Sequence, residues 1–268
     1  MLKYERCVDL EMISLIIQAR MSSTRLPEKI MLEVCGKTLL EHMILRIKKS
    51  KKIDKILVAT TINKKDDTIE NFCKEKQIEC FRGPEDDVLS RYKLANDYLN
   101  SDIVVRICSD CPLLDSNIVD DVIDTFQKGN YDYVNNLVPL PRTYPDGLLV
   151  EVFSSKVLNE AYLEAKKPSD REHVTFFVWN QPKRYNICRL DYEKDLSKYR
   201  FNLDYAEDFT VIKAIYESLY LEKPNFVMSD IITWLNNHPE IMKINSHIES
   251  NQGWASAFKK DRELGFIN

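Results

Sequence analysis

The chain has 268 residues, 44% of them hydrophobic, enough to bury a full core in one large α/β domain or in one domain with a small appendage. Its formal net charge of −4 argues against a bulk nucleic-acid binder, which carries a basic excess, but leaves room for a nucleotide enzyme with a few local cations. No apolar run is long enough to span a bilayer, so no membrane partner is expected.

The N-terminal stretch MLKYERCVDLEM carries acidic residues and no apolar signal core. The first strand begins only after Met12, so residues 1–11 read as a short arm or as sequence ahead of the native start. Seven cysteines at irregular positions (Cys7, Cys35, Cys73, Cys80, Cys108, Cys111 and Cys188) make a poor disulfide framework, and a reducing cytoplasm is the expected compartment.

Ile13–Gln18 is a continuous apolar run of the kind found in a buried parallel strand. Thr38–Lys49 places Leu39, Leu40, Met43, Ile44 and Ile47 at helical spacing. Strands are predicted at Lys55–Thr61, Ile78–Phe81 and Asp102–Ile107. Helices are predicted at Asp66–Lys76, Asp87–Leu99 and Asn117–Gln127. This β-α-β-α rhythm predicts a mostly parallel sheet with helices on both faces and right-handed crossovers. The rhythm breaks after Asn135, where Pro139, Pro141, Pro145 and Asp146-Gly147 give a loop composition. Leu148–Phe153 and Tyr185–Leu190 are strand-like, and Lys156–Lys166 is helical. The expected organisation is a single domain: a nucleotide-binding core over 13–135, an inserted lobe over 136–199 that folds over the sheet, and a return to the core over 200–268. Helices at Tyr205–Leu221 and Ser229–Asn237 belong to that last part.

Ligands of an open parallel sheet sit beyond the carboxyl ends of its strands. After the first strand, Gln18 to Lys29 brings two arginines (Arg20 and Arg25), Lys29 and the hydroxyls of Ser22, Ser23 and Thr24 into one loop. Cationic forks, hydroxyls and backbone N–H groups are what a triphosphate needs. The alternative is a solvated basic turn. Neither glycine-rich phosphate motif occurs. After the Asp102–Ile107 strand, Asp110 stands where a carboxylate can bind Mg²⁺ or cap a turn. Asp204 stands at a second strand end, and Glu207 and Asp208 suit the helix N-terminus that follows. Cys108-x-x-Cys111 reads as buried thiols, or as a redox pair or half a zinc site. In the middle segment, Asp146, Glu151, Glu172 and His173 mix charge with chain-breaking residues, as substrate loops do.

The blocks IIQARMSSTRLPEK, GKTLLEHMILR, FRGPEDDVLSRY, VRICSDCPLLD, YPDGLLVEVF, REHVT and FNLDYAEDF, in this order over residues 13–215, resemble the cytidylyltransferases that make CMP-activated sugars. The nearest variant is the spore-coat polysaccharide protein F group, related to CMP-Kdo synthetase and acylneuraminate cytidylyltransferase. The resemblance implies a Rossmann-like fold of the nucleotide-diphospho-sugar transferase type, with a smaller dimerising lobe. It implies CTP, Mg²⁺, a sugar-acid acceptor and a homodimer. By position, Arg20, Arg25 and Lys29 hold the phosphates, with Ala19, Ser22, Arg82 and Ser109 near the nucleotide. Asp110 and Asp204 bind Mg²⁺, and Arg20, Lys29, Asp110 and Asp204 form the catalytic set. Asp146, Glu151, Glu172 and His173 face the acceptor. Leu149, where relatives often carry Asp, and the two cysteines depart from the pattern on the acceptor side. Two rival readings are a nucleotidyltransferase for sugar 1-phosphates, which the missing glycine-rich loop disfavours, and a non-catalytic nucleotide-binding protein, which the retained charged set disfavours.

Overall fold

The computed structural model describes residues 11–250 and 252–267; the arm expected over 1–11 lies almost wholly outside them. Seven strands form one sheet: β1 (Ile13–Gln18), β4 (Lys55–Thr61), β5 (Glu79–Gly83), β6 (Ile103–Cys108), β7 (Tyr133–Asn135), β8 (Glu151–Ser154) and β9 (Ile187–Arg189). Their spatial order is β5-β4-β1-β6-β8-β7-β9, and a small hairpin, β2 (Glu33–Val34) with β3 (Lys37–Thr38), stands apart. β5, β4, β1 and β6 run parallel, joined by α1 (Leu39–Ile47), α2 (Asp67–Glu75) and α3 (Val88–Leu99).

Side-chain alternation explains the two layers of helices. Leu15, Ile17, Val58, Val105 and Ile107 face α1, α2, α4 (Ser116–Lys128), α8 (Ala206–Leu219) and α9 (Met228–Asn237). Ile16, Leu57, Ala59 and Val104 face α3, α5 (Ser155–Glu164) and α7 (Phe176–Trp179). Strands buried on both faces read as unbroken apolar runs, which is why they were legible. The remaining helices are α6 (Pro168–His173), α10 (Pro239–Lys243) and α11 (Gln252–Glu263).

The segment 136–199 differs from a lobe that simply covers the sheet. Its strand β8 lies antiparallel between β6 and β7, and β9 extends the far edge. β7 is only three residues long and escapes a periodicity test, so the pairing surface that receives β8 is invisible in sequence. The chain leaves β1 toward β4 and β5, then crosses to β6 on the other side of β1. That reversal opens a crevice at the carboxyl ends of β1 and β6, the usual ligand position of such sheets. Among the described residues no helix is long and apolar enough to cross a membrane.

Candidate active site

The loop after β1 is pinned at several points. Ala19 N–H donates to Ala59 O (3.1 Å), and Met21 N–H to the buried Asp66 carboxylate (2.7 Å). Ser22 Oγ donates to Glu85 (2.9 Å). Glu28 N–H closes the loop on Met21 O (3.2 Å), and Glu28 itself adopts φ 56°. A left-handed residue reverses the chain. Here the reversal leaves Glu28 exposed and turns Lys29 inward.

The Lys29 ammonium donates to Leu203 O (2.6 Å), Asp204 Oδ1 (2.9 Å) and Asp110 Oδ2 (3.4 Å). Two carboxylates 94 residues apart in sequence thus converge on one cation beyond β1 and β6. Leu203 N–H donates to Asp110 O (2.8 Å), which ties the two segments together. Burial opposes the charge on Lys29, yet Asp110 and Asp204 raise its pKa above the ordinary value. Burial likewise opposes ionisation of Asp204, but Lys29, Arg25 and Arg200 hold its carboxyl below the usual range. Arg25 pairs with Asp204 (2.9 Å) and lies over the Tyr205 ring (5.1 Å). Arg20 is exposed and forms no ion pair with a described residue.

Asp204 is aimed by a buried network that the sequence reading did not single out. Asp208 accepts from Arg200 Nε (2.8 Å) and Nη2 (3.0 Å), from Asn245 (2.9 Å), and from the backbone N–H groups of Asp204 (2.9 Å) and Tyr205 (3.0 Å). Asp146 joins the same network through Arg142 (3.1 Å) and Arg200 (3.0 Å), and accepts from Ser250 (2.7 Å). Its neighbour Gly147 has φ 88°, and a Cβ there would lie 2.3 Å from Asn202 N. Only glycine allows that approach, which sets the path of the segment leading to Asp204. Asp146 is therefore a buried support of this segment.

The other residues singled out in the sequence fall in three places. Arg82 donates to Asp67 (2.7 Å), Glu70 (2.6 Å), Thr61 O (2.9 Å) and Asn63 O (2.9 Å), so its fork is held at the edge of the sheet. Ser109 is buried beside β1, its N–H donating to Gln18 O (3.1 Å). Glu151 is buried and bound by Arg106, by Tyr133 Oη (2.5 Å) and by Thr175 Oγ1 (2.5 Å), while Arg106 also reaches Gln18 (3.0 Å). His173 stacks on Phe176 (4.4 Å) with Nε2 buried and unpartnered, and burial lowers its pKa to about 4. Glu172, next to it, is exposed.

Burial raises the Cys108 thiol to about 12 and holds the Cys111 thiol well above its ordinary value. Both remain protonated thiols at neutral pH, which removes the driving force for a redox pair. Among the described residues no three His, Cys, Asp or Glu side chains converge as a metal cluster. Half a zinc site at Cys108 and Cys111 accordingly finds no partners there.

A family model described as cytidylyltransferase matches residues 14–227. The spore coat polysaccharide biosynthesis protein SpsF of Bacillus subtilis (strain 168) is 31% identical over 237 residues, covering 85% of this chain and 95% of that protein. A 3-deoxy-manno-octulosonate cytidylyltransferase of Hydrogenovibrio crunogenus is 28% identical over 162 residues, covering 59% of this chain and 58% of that protein. Among solved structures, a cytidylyltransferase from Leptospira borgpetersenii superposes with a TM-score of 0.82 at 32% identity, covering 87% of this chain and 97% of that one.

Proposed function

The chain belongs to the cytidylyltransferase family of nucleotidyltransferases, and from that premise we propose that it transfers CMP from CTP to a hydroxyl of a sugar acid, Kdo-like or nonulosonic, releasing pyrophosphate for surface-polysaccharide or glycan synthesis. The observation that carries the reading is the convergence of Lys29, Asp110 and Asp204 at the crevice between β1 and β6, with Arg20 and Arg25 on the adjoining loop. The sugar-acid acceptor is supported by the name of the 3-deoxy-manno-octulosonate cytidylyltransferase relative.

In this reading the acceptor oxygen forms a bond to the α-phosphorus while the bond from that phosphorus to the β-phosphate oxygen breaks. The acceptor proton leaves to water. Catalysis of such a displacement is chiefly positioning and charge stabilisation. Lys29 and Arg25 lie beside Asp204 and neutralise charge that builds on the departing pyrophosphate, and Arg20 meets the phosphates from the solvent side. The donor chemistry at Asp110 and Asp204 fits Mg²⁺: two hard carboxylate oxygens already share one cation, and Lys29, Arg25 and Arg200 favour the ionised form of Asp204. A Mg²⁺ ion takes one or two carboxylates and completes its shell with phosphate and water. Bound there, it would supply charge neutralisation at the α-phosphate and acidify the acceptor hydroxyl.

The acceptor is assigned to the side of β8 and α6, where His173 keeps a free ring nitrogen and Glu172 is exposed. The same segment, 136–199, carries the exposed Leu140 and Leu163 and is assigned to a homodimer contact. Pyrophosphate release is measured with CTP, Mg²⁺ and a panel of 2-keto sugar acids, then with each other nucleoside triphosphate. Release with CTP and a sugar acid supports the reading. Release only with a sugar 1-phosphate replaces the acceptor class, and CTP binding without turnover by any acceptor replaces catalysis with nucleotide binding.

A further inference from the structure

Helix α3 carries a guanidinium into the interior without a counter-ion. Arg91 is 2% exposed, and among the described residues no carboxylate forms an ion pair with it. Nη1 donates to Pro84 O (2.8 Å), and the buried Nε has no partner. Burial lowers its pKa and Arg20 adds a like-charge push, against the pull of Tyr92, Asp66 and Glu85. The two carboxylates are committed elsewhere. Asp66 accepts from Met21 N–H and Thr61 Oγ1, and Glu85 from Ser22 Oγ (2.9 Å) and Asn63 Nδ2 (3.0 Å).

An uncompensated buried charge is strongly destabilising, so a fold that keeps one has an anion to meet it. The backbone makes room for this one. A Cβ on Gly83 would stand 3.0 Å from Arg91 Cγ and 3.2 Å from the Phe81 ring. The bare glycine lets the arginine stem pass over the carboxyl end of β5. Apart from Tyr92 on its own helix, its electrostatic neighbours Arg20, Asp66 and Glu85 belong to the segments that follow β1, β4 and β5. The bond to Pro84 O and the passage over Gly83 place the guanidinium at the carboxyl end of β5, within electrostatic reach of Arg20.

We propose that Arg91 and Arg20 together form a polyphosphate subsite, with Arg91 as the buried fork and Arg20 as the exposed one. The assignment of the anion to the triphosphate of CTP rests on the transfer reaction proposed above. Arg91 supplies a planar fork whose Nε points at no protein acceptor, the geometry that suits a bidentate phosphate contact.

The test compares wild type, Arg91→Met and Arg91→Lys by calorimetric titration with inorganic pyrophosphate, CTP and cytidine, together with melting of the ligand-free proteins. A hydrogen-bonded charge contact of this kind corresponds to roughly tenfold to hundredfold in affinity. Arg91→Met is expected to lose about that factor for pyrophosphate and CTP. Its cytidine affinity should not change, and its ligand-free melting temperature should hold or rise, because an unpaired buried charge has gone. Unchanged pyrophosphate affinity in the mutant overturns the subsite, as does a wild type that binds no pyrophosphate. A fall in ligand-free melting temperature with pyrophosphate affinity retained assigns Arg91 to the fold instead and also overturns it. Should Arg91→Met not fold, Arg91→Lys keeps charge but loses the fork, and undiminished pyrophosphate binding by it is the contrary result. A wild type that binds pyrophosphate through Arg91 but turns over CTP with no acceptor leaves the subsite standing and removes the transfer reaction.

Discussion

Lys29 meets Asp110, Asp204 and the Leu203 carbonyl through one atom. Its raised pKa contributes stability that is present below its unfolded value near 10.5 and is lost as the pH rises through the folded value. Asp204 works in the opposite sense: its lowered pKa contributes stability present above 3.8 and lost as the pH falls through the folded value. Both contributions are whole at neutral pH. Lys29→Met is expected to lower kcat/KM for CTP by about a hundredfold or more, since a charge-stabilising contact is lost, and to make the alkaline loss of stability shallower. Steady-state kinetics and denaturant titrations from neutral to alkaline pH check both. His173 titrates at about 4 in the fold against 6.5 in the open chain, so its contribution is present above 6.5 and fades as the pH falls toward 4. His173→Phe keeps the stack on Phe176 and should flatten that slope in melting curves. If the slope persists, another group is responsible. The two cysteines at the end of β6 and just beyond it show how little a spacing says alone, because burial, not neighbours in sequence, keeps them as thiols.

At the scale of elements, the start of α8 decides where Asp204 points. Asp208 caps that helix and at the same time binds Arg200 and the backbone of Asp204. Removing one partner of a buried ion network leaves the other charge unpaired, at about 3–5 kcal/mol. Asp208→Asn should therefore lose about that much in urea unfolding and lower turnover more than Glu207→Gln, which changes an exposed neighbour. Gly147→Ala combines a left-handed backbone with a Cβ 2.3 Å from Asn202 N. It is expected to destabilise by more than about 2 kcal/mol and to weaken CTP use by displacing Asp204. A folded, fully active Gly147→Ala protein would show that this approach has slack. The acidic cluster at 204–208 was legible as a helix cap, whereas the strand expected ahead of Asp204 is only an isolated bridge at Arg200. The support from Asp146 and Arg142 was not legible, because those residues lie more than 50 positions away and meet Arg200 only through the Asp146–Arg200 bridge.

Over the whole molecule, the last helix closes over α6 and α7. Trp254 (5.5 Å) and Phe258 (5.4 Å) pack on Phe176, and Asp261 accepts from Ser169 N (3.0 Å). Deleting residues 252–268 should leave the sheet folded, lower the melting temperature, and return the His173 titration toward 6.5 as water reaches the ring. An NMR titration of the histidine ring protons measures this, and an unmoved His173 would mean that α11 does not bury it. Sequence periodicity could not anticipate that burial, since the covering helix follows α6 by some eighty residues.

The residues themselves determined the parallel half of the sheet, because strands buried on both faces must be apolar throughout and the helices between them must be amphipathic. They also determined the stock of charge at the strand ends, since cations and carboxylates without a core to join collect where the strands stop. Tertiary structure decided the rest. It inserted β8 beside β6, a choice made by hydrogen-bonding partners that periodicity does not encode. It turned Lys29 inward onto Asp110 and Asp204, fastened Arg82 to its own edge, and brought Arg91 onto Pro84 O at the end of β5. Each of these depends on which charges share a low-dielectric space, and that is fixed only when distant segments pack.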